Sequence, residues 1–289
     1  MADYSTIKGF TVQTLSSDPG VPGAAGATWA SGGALNASKA IMGHAGTQTA
    51  GLVFGGSLPA LTDTTESYNG SAWTEVADLN TARTDTGGCG ATNTAALYAG
   101  GNSPPVTDIV ESWNGTSWTE VADMLVAKTR GSAIGTNTAA LYVGGLIGPT
   151  FQATTESWNG TSWSEVNNLN TARDQNTGGG TTTAALLTGG EKAPSGATAV
   201  TETFDGTSWT EVGDLNTARM QPGGSGISTL FLAYGGYNSQ TVSEAWDGSA
   251  WTEVADLATG RSELGYGSQG TQAACLATGG STPGSVYYA

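Results

Sequence analysis

Charge, cysteine and histidine are all scarce in this chain. Asp, Glu, Lys and Arg make up 11% of its 289 residues, against about 25% in an average soluble domain. Its two cysteines, Cys89 and Cys275, are too few for a disulfide framework, and both are expected to be free and buried. The one histidine, His44, has no Cys or carboxylate at ligand spacing, so a hydrogen-bonded or channel-facing structural role is predicted rather than a metal site. No G-x-S-x-G elbow, phosphate loop or zinc motif is present; no catalytic residue, metal or cofactor is predicted. Helical periodicity is missing throughout. No apolar run approaches the roughly 20 residues of a membrane span, and Met1–Lys8 has no apolar core flanked by basic residues, so neither membrane insertion nor a secretory signal is expected. Bases are few: nine against 24 acids, a formal net charge of −15. A field of that sign repels nucleic acid and anionic lipid and favours solubility.

Glycine, by contrast, is abundant, at 45 residues. With so little charge, such a chain would suit a disordered segment, but its apolar residues recur in register. A Trp reappears about every 45 residues, at Trp29, Trp73, Trp118, Trp163, Trp209 and Trp251. A Gly-Gly pair closes an apolar run at 55/56, 100/101, 144/145, 189/190, 235/236 and 279/280. Self-similarity at this period marks stacked units, each too small to bury a hydrophobic face alone.

Within residues 83–121, a Gly-rich stretch ends at Thr92-Asn93, and TAALYAGG (94–101) reads as a short buried strand. TDIVESW (107–113) and TSWTEV (116–121) flank Asn114-Gly115. Asn-Gly between alternating runs signals a hairpin, because a type I′ turn needs positive φ at both central residues. Asn69-Gly70, Asn159-Gly160, Asp205-Gly206 and Asp247-Gly248 repeat it. The pattern predicts an all-β, six-bladed β-propeller with four antiparallel strands per blade, the small residues of each first strand crowding the axis. The last unit runs to Ser285–Tyr288 and is expected to lack one strand. ATWAS (27–31) aligns with TSWTEV and is predicted to supply it, closing the ring and leaving no sheet edge. Residues 1–26 then form an arm and linker, and residues 27–289 the propeller.

One cation stands at each inner strand: Lys39, Arg83, Lys128, Arg173, Arg219 and Arg261. Two acids recur with it, one set at Glu66, Glu111, Glu156, Glu202 and Glu244, the other two residues after each Trp from Glu75 to Glu253. Ion pairs that stitch strands or blades are predicted, since a single active site needs asymmetry rather than copies. Tyr68, Trp113, Trp158, Phe204, Trp246 and Tyr288 precede the hairpin turns and are expected in the inter-blade core rather than as sugar platforms. The Asn-Gly-Ser/Thr sequons are read as turns, not glycosylation sites.

LYAGG (97–101), LYVGG (141–145) and ESWNGTSW (111–118 and 156–163) resemble Kelch-like propellers, over about residues 27–289. The resemblance implies the fold but no single function, since Kelch propellers include enzymes, adaptors and lectins. Their copper oxidases need two His ligands, and one His excludes that activity. DYSTIKGFTVQTLSSDP (3–19) and TWASGGALN (28–36) look like the opening of virion-associated propeller proteins of tailed bacteriophages, especially marine and cyanobacterial ones. That resemblance implies a non-enzymatic tail-fibre, tail-tip or head-surface component, made in the host cytoplasm and located in the virion. Residues 1–26, with Phe10 and Val12 alternating, are expected either to dock on another virion protein or to fold back along their own blade. The propeller would display a surface for a host glycan or protein. The connections between second and third strands vary most from unit to unit, and Phe151, Lys192 and Tyr237 on them are the candidate contacts. A cellular interaction or glycan-binding propeller and a glycan-degrading enzyme are the alternatives.

Overall fold

The computed structural model describes residues 28–57, 60–194, 196–238, 240–265, 270–282 and 286–287. The predicted arm, and Tyr288, lie outside the described residues. Every assigned element is a strand. Five four-stranded antiparallel sheets follow one another along the chain, with inner strands Gly43–Thr47, Gly88–Thr92, Ser132–Gly135, Thr177–Thr181 and Gly223–Ile227. Their outer strands begin at Trp73, Trp118, Trp163, Trp209 and Trp251. The cross-strand partner of each of these Trp residues is the aromatic five positions earlier: Tyr68, Trp113, Trp158, Phe204 and Trp246. The two rings tilt on each other with centroids 4.9–5.5 Å apart. All ten are buried, so they serve packing and not an open sugar platform.

The fold is therefore an all-β propeller with four antiparallel strands per blade, but with five such blades rather than the six expected. The sixth repeat contributes two short ladders, Gly270–Thr271 with Ala274–Cys275 and Ser281–Thr282 with Val286–Tyr287. The physical reason lies in the register of the second ladder. Val286–Tyr287 pairs with Ser281–Thr282, the place taken in the third blade by the loop hairpin Leu146–Ile147/Thr150–Phe151. It does not pair with residues 276–278, as a third strand would. Residues 28–31 form no strand either.

The sixth repeat nonetheless fills the space between the fifth blade and the first. Trp29 packs with Cys275 and Ala277 against Leu232, Tyr234 and Leu257, while Leu276 packs against Met42, Val53, Tyr68 and Trp73. Trp29 Nε1 donates to Ala255 O (3.1 Å), as Trp163 Nε1 donates to Ala122 O of the preceding blade. Trp73 Nε1 donates to Gly33 O. Residues 29–33 thus stand where an outer strand would, without its ladder.

The Gly-Gly pairs join the units. The second glycine N–H donates to the carbonyl of the next unit's cation: Gly56 to Arg83, Gly101 to Lys128, Gly145 to Arg173, Gly190 to Arg219 and Gly236 to Arg261. The circle is completed by Gly280 N–H donating to Lys39 O at 2.9 Å. A Cβ on Gly279, at φ 59°, would lie 2.4 Å from that same carbonyl. The pair is glycine because two backbones meet there at positive φ.

The repeated cations sit inside the blades. Arg83 Nη1 lies 2.5 Å from Glu111 Oε1, Arg173 Nη1 2.6 Å from Glu202, Lys128 Nζ 2.8 Å from Glu156, Lys39 Nζ 3.2 Å from Glu66, and Arg219 pairs with Glu244. Each pair is buried and stays within its own unit, tying the connection ahead of the inner strand to the third strand. The other carboxylate oxygen of Glu111 caps Asn80 N–H and Nδ2, and Asn36, Asn170 and Asn216 repeat the contact. The second acid set, Glu75 to Glu253, is exposed. Both cysteines are free; Cys89 is buried, but Cys275 is only half-buried.

Candidate functional site

Strand direction alternates identically in each blade. The connections between second and third strands therefore share one end of the propeller with the connections that lead into the inner strands. Six residues of the latter, each two positions after a repeated cation, have positive φ without being glycine: Ile41 (55°), Asp85 (57°), Arg130 (61°), Gln175 (52°), Gln221 (58°) and Glu263 (58°). They form a chain around the axis. Ile41 N–H donates to Glu263 O (2.9 Å), Asp85 to Ile41 (3.3 Å), Arg130 to Asp85 (2.5 Å), Gln175 to Arg130 (2.9 Å) and Gln221 to Gln175 (2.8 Å). Residues held in the left-handed region cost on the order of 1–3 kcal/mol each and persist only where surrounding structure holds them. Here the inter-unit hydrogen bonds do so.

The neighbour of each ring residue connects it to a variable loop. Thr84 bridges Asn102, Thr129 bridges Leu146, Asp174 bridges Glu191 and Ser262 bridges Ser281, while Tyr237 N–H donates to Met220 O. Ring and loops form one continuous face. The opposite end carries the near-uniform Asn/Asp-Gly hairpins, each closed by the turn residue's own side chain, as where Asn114 Oδ1 accepts from Thr116 and Ser117 N–H.

Of the candidate contacts, Phe151 is half-buried in its loop hairpin, Lys192 is half-buried beside Glu191 with its N–H donating to Gly196 O, and Tyr237 is 49% exposed. They lie on three successive blades of this face. No hydrogen bond, ion pair or ring contact joins them among the described residues. His44 is not at this face: it is buried, hydrogen-bonded to Thr278 Oγ1 at 2.9 Å, and burial pushes its pKa down to about 4.

Sequence reading missed the ring. In it, Arg130 Nε lies 3.6 Å from Asp85 Oδ1, also of the ring, and Nη1 3.7 Å from Oδ2 of Asp174, which precedes the ring residue Gln175. Asp174 is wholly buried, and neither of its carboxylate oxygens receives a hydrogen bond. Burial pushes its pKa up to about 7 against the pull of Arg130, and Glu191 adds to the rise. Asp85 is also raised, by burial foremost, with Glu263 adding to it and Arg130 opposing. Asn176 Oδ1 and Thr177 Oγ1, next along the chain, are likewise buried without a partner. One blade thus carries an asymmetry that the repeats do not. The signal in the sequence was a position that varies among the units, Ile, Asp, Arg, Gln, Gln, Glu, two residues after a position that is always Lys or Arg. Among the described residues no group of three or more His, Cys, Asp or Glu side chains could hold a metal ion.

No protein-family model matches the chain, and no curated protein matches it. Among solved structures 256 chains match. One, described as "Structure of YjhT", superposes with a TM-score of 0.72 over 88% of this chain and 94% of its own, at 14% sequence identity. At that identity the likeness carries the propeller fold and nothing finer.

Proposed function

We propose that this protein is a non-enzymatic virion component of a tailed bacteriophage, a tail-fibre, tail-tip or head-surface propeller that displays one face for adhesion. The observation that carries the adhesive part is the contrast between the two ends. Ring and loops vary among the units, while the hairpins of the other end repeat almost unchanged on a scaffold of recurring buried Lys/Arg–Glu pairs. A rigid scaffold with variation confined to one face is how recognition surfaces are built. The virion assignment rests on the resemblance of residues 3–19 and 28–36. Residues 1–26 attach it to other virion proteins, and the displayed face meets a host glycan or protein.

Mass spectrometry of purified particles is the direct test. Stoichiometric recovery of the chain is expected, and its absence from particles with normal recovery of other structural proteins would end the virion assignment. A second reading, glycan-degrading enzyme, is favoured by the raised pKa of Asp174 beside Glu191. Host polysaccharide incubated with the protein is expected to keep its chain length; shortened chains would select the enzyme.

A further inference from the structure

The turn that joins the first two strands of the fifth blade departs from the repeat. Ile227 and Leu230 are cross-strand partners there, 52% and 39% exposed. Every other unit has Thr and Ala at these two places, as in Thr181 opposite Ala184 of the fourth blade. Among the described residues no other large apolar side chain is exposed at the hairpin end; Leu125, Val126 and Tyr237 belong to the opposite one. A lone exposed apolar residue is ordinary, but an adjacent pair in place of Thr and Ala makes a patch that gains from a cover. The hairpins change at the same place. Their first turn residue is Asn in the first three blades and Asp in the fourth and fifth, at Asp205 and Asp247. The Asp247-Gly248 turn packs on the Ile227–Leu230 turn, where a Cβ on Gly248 would lie 3.4 Å from Thr229 O. Both carboxyls are exposed. Hydrogen bonds hold them below the ordinary pKa, from Ser208 and Thr207 N–H at Asp205, and from Ala250 N–H and the Ser249 hydroxyl at Asp247. An apolar pair beside ionised carboxylates suits a segment that carries apolar side chains together with a cation.

Residues 1–27 contain such a segment. Lys8, Phe10 and Val12 alternate with Gly9 and Thr11, so an extended backbone sets all three on one face. The chain also enters the propeller at the right end. Trp29 takes the place of an outer-strand Trp, and outer strands begin at the hairpins, so Thr28 stands at the hairpin end of the sixth repeat. The sixth repeat adjoins the fifth blade: Gln272 Nε2, in its turn, donates to Phe231 O (3.0 Å) and Trp246 O (2.7 Å). Four strands side by side take up about 15 Å, while residues 13–27 can span up to about 50 Å. We propose that Phe10 and Val12 seat on Ile227 and Leu230 of their own chain, with the Lys8 ammonium beside the Asp247 carboxylate. Seated there, the segment covers the apolar turn and leaves the variable face open. The inference goes beyond the adhesive reading. Attachment to other virion proteins then falls to the rest of residues 1–26 and to the hairpin end, and the test needs no particle.

Trypsin reports the contact, because the Lys8-Gly9 bond is cut when the segment is released. The full chain is digested, and liberation of residues 1–8 is followed by mass spectrometry. Liberation from the native chain is expected to be roughly tenfold slower than from the double variant Ile227→Thr with Leu230→Ala, the scale of one buried apolar side chain. That variant restores the residues of the other units and should keep the native Tm. Phe10→Ser, outside the propeller, should speed cleavage to the same degree. Asp247→Asn should speed it by less, and only at low salt. Equal cleavage of the native chain and both apolar variants would overturn the proposal. Protection that vanishes on dilution would overturn it as well, and would give the site to a second copy of the chain. If the double variant does not keep its Tm, NMR of the native chain decides: contacts from the Phe10 ring to the Ile227 methyl groups are expected, and their absence would overturn the proposal.

Discussion

His44 Nε2 and Thr278 Oγ1 lie 2.9 Å apart across 234 positions of sequence, joining the first inner strand to the sixth repeat. The contact is buried, and the imidazole is packed tightly enough that a Cβ on Gly265 would sit 2.6 Å from its Cε1. One side chain therefore helps to close the ring, and it stays neutral only while the site stays dry.

That gives the closure a pH dependence. Burial lowers the His44 pKa to about 4, from about 6.5 in the unfolded chain. The unfolded state thus binds a proton first as pH falls. The full contribution is present above about pH 6.5 and is lost as pH drops towards 4, on the order of a few kcal/mol. Calorimetric Tm values taken from pH 7.5 to 4.5 are expected to fall more steeply for the native chain than for His44→Gln. Parallel curves would show that His44 is not responsible.

The buried pairs make a second prediction. Glu111→Ala leaves Arg83 charged and buried and removes the acceptor for Asn80. Removing one partner of such a pair costs about 3–5 kcal/mol. Glu75→Ala, at an exposed position of the neighbouring blade, should stay within about 0.5 kcal/mol of the native chain. Urea unfolding of the two variants compares them directly. Equal small losses would mean that the buried pair adds little, and that the repeated cations serve another purpose.

Much of this architecture was legible beforehand. Period, Gly-Gly pairs, hairpin positions and paired aromatics depend on local chemistry that each unit states again, so Trp118 and Trp113 could be placed by analogy with their neighbours; the hairpins themselves are four-residue loops with positive φ at the glycine alone, not the expected type I′ turns. The sixth unit was misjudged because Tyr288 matches Tyr68 in residue type, while register is set by which strand Val286–Tyr287 actually meets. The axial ring was invisible for the opposite reason. Its left-handed backbone is imposed by hydrogen bonds between units, as from Asp85 to Ile41, and no local preference of Ile, Arg or Glu announces it.

Asp174 predicts a slope opposite to that of His44. Its folded pKa of about 7 exceeds the ordinary carboxylate value near 4, so the native state holds its proton longer than the unfolded chain does. Its contribution is full below about pH 4 and is lost as pH rises through 7. Asp174→Asn should therefore match the native chain at pH 4.5 and exceed it at pH 8, by roughly 1–3 kcal/mol. Denaturant midpoints at the two pH values test this. A variant less stable than native at pH 8 would mean that the ionised carboxylate is well paired after all.

Trp118 and Trp29 separate packing from closure. Trp118 is 5% exposed, lies against Phe54 with centroids 4.8 Å apart, and donates Nε1–H to Thr65 Oγ1. Trp118→Ala should cost about 3–5 kcal/mol, the range for a large buried aromatic. Trp29 is half-buried and packs edge-on to Tyr234 at the junction of the fifth blade with the sixth repeat. Trp29→Ala should cost less globally but loosen that junction in particular. Hydrogen exchange distinguishes the two. The Gly280 amide, bonded to Lys39 O, should exchange faster in Trp29→Ala than in the native chain, while the Gly101 amide, bonded to Lys128 O, keeps its protection. Uniform acceleration at both amides would instead make the ring one cooperative unit in which Trp29 is an ordinary core residue, and its place at the seam would carry no special consequence.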